Sequence, residues 1–96
     1  MLFIVNINWT EQGIRSVKDA AKRSAAAKKL AKSLGVEIKQ LYLTSGDSDL
    51  VAIVDTPNGD NMAKLALALG QMGNIRTRTS RAWTEAEFGK LIADLP

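Results

Sequence analysis

The stretch VEIKQLYLTSGDSDLVAIVD, residues 36–55, decides how this chain folds. It consists of two apolar-rich runs joined by five turn-forming residues, SGDSD (45–49), which is the pattern of a β-hairpin. The second run, LVAIVD (50–55), is nearly all apolar, as expected of a strand buried at the centre of a sheet. The first run breaks its own alternation, because Leu41 and Leu43 are out of phase with Val36 and Ile38. One extra residue near Lys39-Gln40, a β-bulge, restores a single apolar face and turns Tyr42 to the opposite one.

Upstream, LFIVNIN (2–8) alternates as a strand. Phe3, Val5 and Ile7 form one face; Leu2, Ile4, Asn6 and Asn8 form the other, which turns polar along its length. Residues 10–34 carry a helical pattern, with a break near the first turns where Gly13 weakens it. Val17, Ala20, Ala27, Leu30, Ala31 and Leu34 recur at helical spacing and predict one buried stripe, ended by Gly35. Downstream, TPNGDN (56–61) lacks the glycine spacing and lysine of a phosphate-binding loop and predicts a turn, with Asn58 or Asp60 as a helix cap. Met62, Leu65, Ala66, Leu69 and Met72 then fall in helical register. Gly73-Asn74 turns the chain into IRTRTSRAW (75–83), a polar alternating strand, and a short helix spans 85–94.

The order β-α-β-β-α-β plus a terminal helix predicts an α+β, ferredoxin-like fold in a single domain, residues 1–96. Its four-stranded antiparallel sheet has the order 4-1-3-2, and strands one and three are expected as a parallel pair at its centre. Both long helices cover one sheet face. The other face has no helix in this chain, so something else must cover it.

Two triplets flank this framework. Trp9-Thr10-Glu11 and Trp83-Thr84-Glu85 contain both tryptophans of the chain. Each threonine is placed to cap a helix, each glutamate favours the positive end of the helix dipole, and Thr84 with Glu87 has capping-box spacing. Ile14 and Phe88 stand where an apolar residue would staple the preceding Trp. The topology sends the two copies to opposite ends of the sheet, so they form no common pocket within one subunit.

With neither cysteine nor histidine, disulfides, thiolate chemistry and imidazole acid–base work are excluded, and no metal site or cofactor is expected. Asp47 and Asp49 begin a calcium-loop pattern that has no further ligands. The opening MLFIV reads as a strand and not a signal peptide, no apolar run is long enough to span a bilayer, and the cytoplasm is the expected compartment. Net charge is +3, with the excess in the first half: residues 1–48 hold eight Lys/Arg against four Asp/Glu. Arg15, Lys18, Lys22, Arg23, Lys28, Lys29 and Lys32 line the first long helix without interleaved aromatics. That is the signature of a solvated face, so nucleic acid is disfavoured as a partner.

Several segments together resemble one family. NWTEQGI with the Lys/Ala-rich helix after it, LYLTSGDSDLVAIVDTP, ALALGQMGNIRTRTSRAWTEAEF and the closing LP are similar, in the same order, to the GYD-domain proteins. The family's Gly-x-Tyr-Asp hairpin motif stands here as Gly46-Asp47-Ser48-Asp49, with Ser48 at the Tyr position. The resemblance implies a subunit of the dimeric α/β-barrel group, in which the open sheet faces of two subunits pack together.

On the helix-free face the sequence places Asn6, Asn8, Tyr42, Thr77, Thr79 and Arg81, with Trp9 beside them. Small Ser80 and Ala82 are assigned to packing beneath the helices. Polar groups buried between two sheets need partners, and Arg81 with Tyr42 would suit an anionic or carbonyl oxygen. The expected function is a homodimeric or larger module that binds a small, anionic ligand between its sheets. The alternative is a cofactor-independent enzyme of the isomerase or monooxygenase type.

Overall fold

The computed structural model describes residues 1–96. Strand β1 (Leu2–Trp9) lies inside the sheet between β3 (Leu50–Asp55) and β4 (Ile75–Ala82), and β2 (Glu37–Leu43) is the edge beyond β3. This is the order 4-1-3-2 read from the other edge. All neighbouring pairs are antiparallel, so the expectation of a parallel central pair is corrected. The crossover returns β2 parallel to β1 but one position away. The tight hairpin then reverses the chain, and β3 fills the gap antiparallel to both.

The expected bulge is present. Pairing of β2 with β3 steps from Ile38–Val54 to Gln40–Ile53 and skips Lys39. Ile38 and Leu41 therefore share the helix side with Val54 and Ala52, and Tyr42 joins Val51 on the other side.

The first helical region is broken in three: α1 (Glu11–Arg15), a 3-10 turn (Val17–Asp19) and α2 (Ala20–Ser33). Arg23 of α2 reaches back to the break. Its guanidinium donates to the carbonyls of Gly13 and Ser16 and to the Ser16 hydroxyl at 2.8–3.0 Å, occupying backbone acceptors that an unbroken helix would have used itself. Gly13 is required for a different reason from its helix propensity. A β-carbon there would stand 1.9 Å from the Asn74 carbonyl oxygen, so α1 meets the Gly73-Asn74 turn backbone to backbone. Val17, predicted to belong to the buried stripe, falls instead in the 3-10 turn and is 38% exposed.

Helices α2 and α3 (Gly59–Gln71) pack on one face of the sheet. Phe3, Val5 and Ile7 meet Ala52 and Val54 there, beneath Ala31, Met62 and Leu65. Gly35 and Gly73 end these helices with φ of +75° and +84°, conformations that glycine adopts without steric cost. Asn58, not Asp60, caps α3, its side chain accepting from the Asp60 amide at 2.9 Å. The core is small, with 12 of 96 residues buried. Part of the reason is α2, which presents Ala20, Ser24 and Ala27 where larger side chains would reach the sheet. An apolar cleft of about 240 Å³ remains between α2, α3 and the sheet, floored by Val5, Ile7 and Leu65.

Both threonine caps form. Thr10 accepts from the Gly13 amide at 3.1 Å, and Thr84 completes a capping box with Glu87 at the start of α4 (Glu85–Ala93). Ile14 and Phe88 nonetheless stay exposed. Trp83 stacks instead under the Arg81 guanidinium, 4.4 Å from its ring centroid. Helix α4 has no buried residue and stands apart from the other elements. The chain accordingly measures 51 × 30 × 18 Å, with a radius of gyration of 14.7 Å, against about 12.5 Å for a compact chain of this length. No helix is long and apolar enough to cross a membrane.

Two outcomes follow from this packing. Ala27 borders the cleft, whereas Ala31 is fully buried and does not. Ala31→Leu should therefore cost ~1–3 kcal/mol by overpacking, while Ala27→Leu should be neutral or slightly stabilising in urea denaturation. At α4, the Thr84 backbone N–H holds the Glu87 carboxylate below its ordinary pKa, with the Thr84 hydroxyl and Arg81 adding to the effect against some desolvation. A carboxyl depressed in the folded state stabilises it above the unfolded pKa, and that contribution is lost as pH falls through the folded value. The helix start should thus fray on acidification into that range, read from the Thr84 and Glu87 amide shifts, and Glu87→Gln should abolish the dependence.

Candidate functional site

The uncovered sheet face is organised in rows set by strand register. One end row is Glu37, Asp55, Leu2 and Ala82; the next is Gln40, Ile53, Ile4 and Ser80; the third is Tyr42, Val51, Asn6 and Arg78. Beyond it stand Asn8 and Arg76. The face therefore has an apolar middle of Leu2, Ile4, Ile53 and Val51, an acidic corner at Glu37 and Asp55, and a donor-rich end bearing Arg76 and Arg78. The N-terminal ammonium pairs with Asp55 at 3.2 Å and partly offsets the acidic corner.

This placement separates the residues that the sequence grouped together. Asn6, Asn8 and Tyr42 lie on the open face as expected. Thr77, Thr79 and Arg81 do not, because they pair with Ile7, Val5 and Phe3, and cross-strand partners share a face. Trp9, paired with Ile75, also points to the helix side, where it and Thr77 line the apolar cleft. The arginines that do reach the open face are Arg76 and Arg78, with Ser80 and Ala82 in the same phase. The sequence carried little signal for choosing between the phases, since both are largely polar and both contain arginine.

The hairpin loop, residues 44–49, builds a wall at the donor-rich end. It folds against the end of β1 through the Asp49 amide on the Ile7 carbonyl (3.0 Å), the Asp49 carboxylate on the Trp9 amide (2.9 Å), and the Asn8 side-chain amide on the Asp47 carbonyl (3.1 Å). Asp49 is thereby engaged as an acceptor for the backbone of β1. Ser48, which takes the position of the motif's Tyr, is buried. Its hydroxyl donates to Asn6 Oδ1 at 3.0 Å, and Arg78 Nη2 approaches its oxygen at 3.5 Å. The Ser48 hydroxyl thus links the loop to β1 and β4. With its oxygen engaged, Asn6 retains Nδ2 as a donor next to Arg78 on the neighbouring strand, and Tyr42 stands in the same row on the far side of Val51. Such a set favours an anion or a carbonyl oxygen as ligand.

The loop geometry makes a specific prediction. Asp49→Ala leaves the half-buried Trp9 N–H without its acceptor and should cost ~1–3 kcal/mol of unfolding free energy. Asp49→Asn keeps an acceptor oxygen and should recover most of that loss in the same denaturation experiment.

Among families of known proteins, the GYD-domain model matches residues 3–92 of the 96. No curated protein and no solved structure matches the chain. The matched segment runs from β1 through most of α4 and includes the hairpin that walls the site. The chain belongs to the GYD-domain family.

Proposed function

We propose that two copies of this chain pair through their open sheet faces, as in a dimeric α/β barrel, and that the polar end of the joint holds a small anionic ligand. The observation that carries this reading is the row Tyr42–Val51–Asn6–Arg78 beside the buried Ser48 hydroxyl. An apolar middle flanked by polar side chains has the anatomy of a protein interface. A core of 12 buried residues leaves much of the fold's apolar surface to be covered by association. In the closed dimer, Arg78 and Arg76 would supply the positive charge, with Tyr42 and the Asn6 amide orienting the ligand's oxygens. This reading assigns the protein to the cytoplasm, without a cofactor and as a binding module, not an enzyme.

Two measurements test it. Ile53→Glu places a charge in the centre of the proposed interface and should convert a dimer to a monomer in sedimentation equilibrium; a wild type that is monomeric at 100-fold above the assay concentration (~1 mM against ~10 μM) would refute the pairing. Small carboxylates and inorganic phosphate should be screened by thermal shift. A ligand at ten times its Kd contributes about 1.4 kcal/mol and should raise Tm by several degrees, an increase lost in Arg78→Gln.

A further inference from the structure

Two apolar surfaces of this chain lie apart from the open sheet face, and they are complementary. The first is α4. Phe88, Leu91 and Ile92 fall at helical spacing on one side of it, Leu95 follows just past its end, and each is at least 50% exposed, as is Trp83 just before it. The second is the cleft between α2, α3 and the sheet, with Leu41 and Met72 exposed at its rim. At about 240 Å³ it is smaller than the ~300–1,000 Å³ of pockets for drug-sized ligands, and nearer the size of one or two large side chains.

The geometry points to an exchanged arm: α4 of one chain lays its apolar stripe over the helix-side cleft of a second copy, which returns its own α4. The arm of the same chain is poorly placed for this. It leaves the sheet after Ala82, opposite Leu2, at the end far from Trp9, Met72 and Ile75. The stacking of Trp83 on Arg81 and the Thr84 capping box then satisfy the start of the helix locally, and none of its residues is buried against the body. Charge agrees with the pairing. The polar side of α4 carries Glu85, Glu87 and Asp94 against the single Lys90, and the exposed side of α2 carries Lys22, Lys28, Lys29 and Lys32, with Lys28 lining the cleft. The same acidity opposes the other common fate of an exposed amphipathic helix, a membrane surface, where a basic polar face is expected. Area agrees too. Five side chains per arm, each offering on the order of 100 Å², give about 2,000 Å² for two arms and the surfaces they cover, within the range of stable interfaces. Reciprocal exchange also closes the assembly, as a twofold axis requires.

The absence of cysteine makes the test direct. Chains bearing Leu91→Cys should be mixed with chains bearing Met72→Cys under mild oxidation, and the linked peptides identified by mass. The expected product is the mixed disulfide between the two variants, and Phe88→Asp on the Leu91→Cys chain should reduce its yield at least tenfold while far-UV circular dichroism stays that of a folded chain. Cross-linking of Leu91→Cys only to itself, only within a doubly substituted chain, or not at all would overturn the exchange. Flotation of the wild type, but not of Phe88→Asp, with phosphatidylcholine–phosphatidylglycerol vesicles would likewise overturn it. Tyr42→Cys self-cross-linking reports separately on the sheet-to-sheet dimer, so either assembly can fail without the other.

Discussion

The register of β1 between β3 and β4 is the constraint on which the rest of this molecule depends. A strand paired on both sides transmits its alternation to both neighbours, and a slip of one residue would exchange the two faces of the sheet. With Phe3, Val5 and Ile7 inward, Ala52 and Val54 must face the helices, and Asn6 must share a row with Tyr42 and Arg78. The hairpin loop holds this register in place. Asp49 bonds both the Ile7 carbonyl and the Trp9 amide, and Asp47 accepts from Asn8, so the loop meets three successive residues of β1. At the far end the Thr56 amide on the Met1 carbonyl and the Met1–Asp55 ion pair complete the clamp. The family motif is therefore structural before it is anything else: it sets the face that the candidate site occupies.

The elements and their order were legible because most carry a clear apolar period or a turn residue with a distinct conformational role. Even the bulge was readable, since Ile38 and Leu41 cannot share a face without an extra residue between them. Strand β4 was not. Its only strong apolar residue is Ile75, and helix cover reaches Thr77 but leaves Thr79 exposed on the helix side. Burial therefore imposes no contrast between Thr77, Thr79 and Arg81 on one side and Arg76, Arg78 and Ser80 on the other. The phase is decided by hydrogen-bond register with β1, which is tertiary information. Misplacing Arg81 followed directly from that, and Arg78 could not have been chosen over it from the strand alone.

The alanines of α2 show how one local choice propagates. Alanine is the best helix former, so the run from Ala20 to Ala31 stabilises a helix that the break at Ser16 and Val17 would otherwise weaken. The same small side chains fail to fill the space over Val5 and Ile7, which leaves the cleft and keeps the core small. The dispersion attraction that a void forfeits is not recovered inside the monomer. In the proposed assembly, covering that surface from outside would couple the stability of the fold to association.

The two Trp-Thr-Glu triplets make the limit of local chemistry plain. Both threonines cap, as their sequence requires, but a cap fixes where a helix begins and not what it packs against. At α1 further bonds add the tertiary links: the Thr10 amide on the Asn74 carbonyl, the capping Thr10 hydroxyl itself on the Gly73 carbonyl, and Gln12 on Met72 and Asn74. Gly13 permits the close approach that these bonds need. At α4 no corresponding turn lies alongside, and the capping box satisfies the helix start from within its own residues. The first triplet is therefore bonded into the body of the subunit. The second begins a self-sufficient amphipathic helix whose Phe88–Leu91–Ile92 stripe stays exposed, which is the surface the proposed exchange would cover.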